Sequence, residues 1–225
     1  MIFINGDSYS APNESFKVWA DHLSDITKKS VTNYSTPGSN NDRIFRTSLE
    51  YCNNNTCEII ILATSFLTRE EFWDNTWEFK DYIHEDELAK GSKFITSRFY
   101  EDKYDLFRSR KLFDLHKPVV DYYQNCYYFS MYCNSKGIKY FIFPAAQSLL
   151  NGEFWDPDFL VYLKKLTIYK EVVEDENIWD INSFSQKDWA EKNNLTTTDS
   201  SHLTDTESHK MFAEHLYNER IKYII

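Results

Sequence analysis

The run Ile59-Ile60-Ile61-Leu62-Ala63 has five consecutive apolar residues and no polar residue at alternate positions. It is too short for a helix with a buried stripe, and as a strand it has no face suited to water. Strands of this kind sit in parallel sheets covered by helices on both sides. Two more segments read the same way, Met1 to Asn5 and Gly137 to Pro144, and Val31 to Tyr34 is a shorter companion.

The residues between these runs repeat with helical spacing. Phe16, Trp19, Ala20, Leu23 and Ile26 form one apolar stripe within Ser15 to Lys29. Ile44, Leu49 and Tyr51 form another, with Asn40 or Asn41 as its cap. A stretch from about Asp102 to Asn134 has helical character interrupted near Pro118, and Leu203 to Tyr223 reads as a closing helix. Strands alternating with helices predict a three-layer α/β/α domain. Its sheet is expected to be flavodoxin-like and mostly parallel, with about five strands. These should fall near residues 2–5, 31–34, 58–63, 138–143 and 178–181. With only five Gly and five Pro and no repeat, residues 1–225 read as one domain. Residues 68–135 are too many for a simple crossover. They are expected to form a helical insert leaning over the carboxyl edge of the sheet.

The formal net charge of −10 repels phosphate backbones and argues against a nucleic-acid partner. The apolar runs are too short to span a bilayer. The first residues lack the basic and apolar regions of a signal peptide, so the expected location is the cytoplasm. Cys52, Cys57, Cys126 and Cys133 have no redox or zinc-knuckle spacing and are expected to be free thiols. The histidines show no metal-ligand pattern, so neither metal nor other cofactor is expected. His209 and His215 read as packing or surface residues. The oligomeric state is open.

In parallel sheets covered by helices, ligands bind beyond the carboxyl ends of the strands. The turns there are Gly6-Asp7-Ser8, Pro37-Gly38-Ser39-Asn40, Thr64-Ser65 and the loop before the last helix. Gly6-Asp7-Ser8 resembles the GDS block of the SGNH/GDSL hydrolases. Gly38 and Asn40 are similar to the second block of that family. Asp199-Ser200-Ser201-His202 matches its D-x-x-H block, just before the final helix. The blocks follow in order from one end of the chain to the other.

The resemblance implies a Ser-His-Asp triad of Ser8, His202 and Asp199. A serine hydroxyl is a weak nucleophile until a base takes its proton. An imidazole suits that task near neutral pH, and a carboxylate orients it. The resemblance also implies an oxyanion hole that includes the amides of Ser8 and Gly38. The family's third block supplies an asparagine donor from a G-x-N-D turn. This chain has Ala63-Thr64-Ser65-Phe66 there instead. Thr64, Ser65 and Asn40 are the candidates for the missing donor. Asp7, Arg69 and Trp73 are candidates for substrate contact.

The implied activity is that of an esterase or deacetylase acting through an acyl-Ser8 intermediate. Its expected partner is a small-molecule or carbohydrate ester, for instance an acetyl ester. Two alternatives keep the same fold: an acyltransferase with the same triad, and a binding module without catalysis. A flavodoxin-like cofactor site would need a phosphate-cradling loop after the first strand, where Asp7 would repel phosphate.

Overall fold

The structure is a computed structural model of the 225-residue chain. It describes residues 1–67, 70–73, 83–85, 93–97, 116–146, 157–179, 181, 184–195, 197–198 and 202–225. The central sheet consists of β1 (Ile2–Gly6), β2 (Val31–Asn33), β3 (Ile59–Thr64) and β7 (Lys139–Pro144). All its neighbours are parallel, in the order β2-β1-β3-β7. The expected fifth strand is present as a single parallel bridge between Ile142 and Ile178.

Alternation along each strand sorts side chains into two cores. Ile2, Ile4, Ile59, Ile61, Ala63, Phe141 and Phe143 face one layer. That layer contains α1 (Trp19–Thr27), α6 (Gln186–Lys192) and α7 (Thr206–Leu216). Phe3, Ile60, Leu62, Tyr140 and Ile142 face the other. It contains α2 (Asn41–Asn54), α3 (His116–Lys136), α4 (Pro157–Leu163) and α5 (Thr167–Glu174). The sequence 59–63 is apolar throughout because both of its faces are covered. Pro118 lies in the first turn of α3, where a missing N–H breaks no helical bond, so it starts the helix and does not kink it.

The segment after β3 departs from the expected helical insert. It contains β4 (Glu70–Trp73), β5 (Ile83–Glu85) and β6 (Lys93–Ser97), in the antiparallel order β4-β6-β5. Among the described residues of this segment, a helix follows from His116. Glu70-Glu71-Phe72-Trp73 mixes acidic and aromatic residues with no clear period. What defines it as a strand is its pairing with Phe94–Ser97, which is not a local property.

Two close approaches bring the carboxyl ends of the strands together. Gly6 pairs with Ala63, and a Cβ at Gly6 would lie 2.9 Å from the Ala63 Cβ and carbonyl oxygen. Only glycine lets β1 and β3 meet that closely. The Asn5 side chain is wholly buried and reaches from β1 to α2. Its Nδ2 donates to the Ile44 carbonyl and to the Thr47 and Ser48 hydroxyls at 3.1, 2.8 and 2.9 Å. Cys52, Cys57, Cys126 and Cys133 are free thiols and buried, with the Cys52 and Cys57 sulfurs 3.9 Å apart.

Candidate active site

The chain leaves β1 in a tight turn in which the Ser10 and Ala11 amides both donate to the Asp7 carbonyl at 3.0 Å. This turn sets Ser8, half-buried, at the carboxyl edge of the sheet. Ser8 Oγ lies 2.7 Å from His202 Nε2, a hydrogen bond across 194 positions of sequence. With Nε2 unprotonated, Oγ–H donates to it, as a general base requires.

His202 is held by its own loop and by a ring beneath it. Its amide donates to Thr198 Oγ1 at 3.2 Å, and its carbonyl accepts from the Thr198 amide at 2.9 Å. Thr197 and Leu203 add an antiparallel bridge, so the two arms of the loop close on each other. The Tyr9 ring stacks on the imidazole with centroids 4.2 Å apart and planes 23° apart. Asp199 falls in the same loop and lies outside the described residues. The N-cap of α7 is Asp205, whose carboxylate accepts from the Ser208 amide at 2.8 Å.

His209, on α7, supports this loop from behind. The Trp19 amide, at the start of α1, donates to its Nδ1 at 3.2 Å. Burial pushes its pKa down to about 4, so the ring is neutral across the physiological range. The Leu203 backbone beside the imidazole acts to raise its pKa. From the sequence His209 reads as a packing or surface residue. The structure adds that this packing joins α1, α7 and the loop that carries His202.

The second turn is built around Gly38. Its φ of 81° lies in the left-handed region, which glycine adopts without strain. The Thr36 amide donates to the Gly6 carbonyl at 3.1 Å, which brings this turn beside the one bearing Ser8. Arg43 braces it from α2: Nη1 donates to Ser39 Oγ at 2.9 Å and Nη2 to Thr36 Oγ1 at 3.0 Å. Asn40 caps α2, its Oδ1 accepting from the Arg43 amide at 2.9 Å. The capping bond fixes which end of the amide is Nδ2. That nitrogen is buried and has no hydrogen-bond partner among the described residues.

Three expected site residues have other duties here. Thr64 is wholly buried, and its hydroxyl donates to the Phe143 carbonyl at 3.3 Å, with the Tyr122 hydroxyl also 3.5 Å away. Ser65 Oγ donates to Asp7 Oδ2 at 2.6 Å. Asp7 is itself wholly buried, and its Oδ1 accepts from the Tyr9 amide at 3.0 Å. A carboxylate buried and engaged in this way is a bracket between the ends of β1 and β3, not a surface for substrate. Asn41 completes the bracket: its Oδ1 accepts from the Ser65 amide at 2.8 Å, and its Nδ2 donates to the Ser65 carbonyl at 3.2 Å. Arg69 and the side chain of Trp73 lie outside the described residues.

Tyr9 and Arg43 were not singled out from the sequence, and Asn41 was read only as a possible helix cap. Tyr9 and Asn41 each sit next to a chosen residue, but the roles of all three depend on partners distant in sequence. Among the described residues no group of three or more His, Cys, Asp or Glu side chains could hold a metal ion. No described helix is long and apolar enough to cross a membrane.

No family model matches the chain, and no curated protein matches it in sequence. Solved structures do resemble it. One is the psychrotrophic esterase EstA from Pseudoalteromonas sp., solved in a form inhibited by monoethylphosphonate. The likeness covers 99% of this chain and 97% of that one, with a TM-score of 0.54 and 13% identity. Another is an acetyl xylan esterase, AlAXEase, covering 97% of this chain and 98% of that one, with a TM-score of 0.51 and 13% identity. At such identity the likeness is one of fold. The chain, a parallel four-stranded sheet flanked by helices, shares the fold of these esterase structures, the α/β fold that the resemblance to the SGNH hydrolases implies.

Proposed function

We propose that this chain is a serine hydrolase that cleaves esters of a short acyl group with an uncharged alcohol. The observation that carries this reading is the 2.7 Å bond between Ser8 Oγ and His202 Nε2. A hydroxyl at a strand-end turn and an imidazole from the far end of the chain meet at the edge where such sheets bind ligands. Two solved esterases share the fold.

The reaction runs in two steps. His202 takes the Ser8 proton as Oγ attacks the acyl carbon, then delivers it to the departing alcohol oxygen. Water next gives a proton to His202 and attacks acyl-Ser8, which releases the acid and restores the serine. Asp199 is assigned the role of orienting the imidazole, on the strength of its D-x-x-H spacing. The tetrahedral oxyanion is assigned to the amides of Ser8 and Gly38 and to Asn40 Nδ2. A buried amide N–H without a partner costs free energy in the resting protein. A ligand oxygen in the transition state would satisfy it, which is the reason to prefer Asn40 over the engaged hydroxyls of Thr64 and Ser65.

The test is labelling by a phosphonate, since an esterase of this fold is inhibited by one. Expected are a stoichiometric adduct on Ser8 and hydrolysis of nitrophenyl acetate or acetylated sugars. Ser8→Ala should abolish both with little change in melting temperature. A folded protein that neither labels nor turns over any ester would sink the reading and leave a binding module on the same fold.

A further inference from the structure

A cavity of about 300 Å³ opens directly beside Ser8. Ala11, Phe16, Val18 and Leu203 supply apolar wall, and His202 and Tyr9 border it. Asn13, Thr198 and Thr204 add uncharged polar groups, and the remaining wall is the imidazole of His209. No Lys, Arg, Asp or Glu is among these described lining residues. Gly38 and Asn40, the residues assigned to the oxyanion, are also absent from its lining. The cavity therefore lies on the side of Ser8 that faces the base.

That placement separates the two halves of an ester. When the acyl carbon is bonded to Ser8 Oγ, its oxyanion points to the amides of the turns. The alcohol oxygen must receive a proton from His202 Nε2, which requires it within hydrogen-bond reach of that nitrogen. The rest of the alcohol continues into whatever space borders His202 on that side. We propose that this cavity is the alcohol subsite, shaped for an uncharged alcohol with a compact apolar body such as a single ring. It rests on the hydrolase reading above and adds to it the half of the substrate that is recognised. The cavity's volume of about 300 Å³ is room for one ring. Phe16 gives such a body an aromatic wall.

The same geometry gives the site a second outcome. By microscopic reversibility, a fresh alcohol in the cavity passes its hydroxyl proton to His202 while its oxygen attacks acyl-Ser8. The new ester bond forms as the Ser8 Oγ–acyl bond breaks, and the proton returns to Oγ. Alcohol and water then compete for one intermediate.

The experiment compares two substrate series in wild type, Ala11→Leu and Phe16→Ala. One series varies the alcohol (methyl, cyclohexylmethyl and benzyl acetate); the other varies the acyl group (methyl acetate, butyrate and hexanoate). Wild type is expected to favour benzyl over methyl acetate by about tenfold or more in kcat/KM, the usual reach of one well-filled apolar pocket. Ala11→Leu fills the cavity and should bring that ratio toward one while leaving the acyl ratios as they were. Phe16→Ala, which removes wall instead of adding bulk, should lower the same ratio and serves if Ala11→Leu does not fold. With nitrophenyl acetate as donor, added benzyl alcohol should yield benzyl acetate in wild type and much less in Ala11→Leu. If the substitutions shift the acyl ratios and leave the alcohol ratios alone, the cavity is an acyl pocket and the proposal is overturned. Active enzyme with flat alcohol ratios also overturns it. Loss of all ester turnover and phosphonate labelling in wild type is the separate signature that the hydrolase reading itself has failed.

Discussion

Single side chains at this edge of the sheet have divided their labour between chemistry and bracing. Asn40 has been assigned both, one end of its amide to α2 and the other to the oxyanion, and the two can be separated. Asn40→Ser keeps an N-cap acceptor of similar quality but removes Nδ2. Turnover should fall about a hundred- to a thousandfold, the usual cost of one oxyanion donor, with melting temperature nearly unchanged; steady-state kinetics beside thermal denaturation checks it. Ser65→Ala should do the reverse. It leaves the buried Asp7 carboxylate short of a donor, which costs about 1–3 kcal/mol or more for a charged group. For a chain of this length that is a drop of several degrees in melting temperature. The chemistry-bearing residues were legible because Gly-Asp-Ser and Asp-x-x-His are local strings. The brace was not, because Asp7 and Ser65 look like site residues, and Asn41 like a helix cap, until their buried partners are seen.

Between elements, the decisive contacts are a glycine, an asparagine and a histidine. Gly6→Ala would press a Cβ onto the Ala63 backbone at the seam of β1 and β3. Overpacking of this kind costs about 1–3 kcal/mol, and because the turn bearing Ser8 begins there, activity should fall along with stability. His209 joins α1 to α7 and to the base loop, and its titration has a defined sign. Its folded pKa of about 4 lies below the ordinary value near 6.5, so the unfolded chain takes up this proton first. This contribution to stability is complete above about pH 6.5, declines as pH falls, and is lost by about pH 4. His22, Asp205 and His202 are the titratable neighbours that act on it, and burial outweighs them. The full loss is on the order of 3 kcal/mol. His209→Gln should flatten the fall in melting temperature between pH 6.5 and 4. An unaltered acid slope in that variant would show that other groups carry it. From sequence, His209 was only one of two histidines on a closing helix; a tie from Trp19 across 190 positions has no local signature.

At the level of the whole molecule, the sheet was readable because buried parallel strands have a composition no other element shares. The runs at Ile2, Ile59 and Lys139 became β1, β3 and β7 within a residue or so. The strands within the insert were not legible because β4, β6 and β5 find their partners in each other and not in a local period. The order of the central strands also explains why the ends of the chain meet. β1 lies inside the sheet, and α1 packs against α7 on one of its faces.

The 194 positions between nucleophile and base make catalysis a measure of completion. A refolding chain can regain most of its helix, and much of its buried surface, before α7 has docked beside α1. During that interval it has a serine and a histidine but no site. Ester turnover should therefore lag behind the recovery of helical circular dichroism in a stopped-flow refolding experiment. Turnover that returned in step with the earliest helical signal would mean that the two ends of the chain associate first.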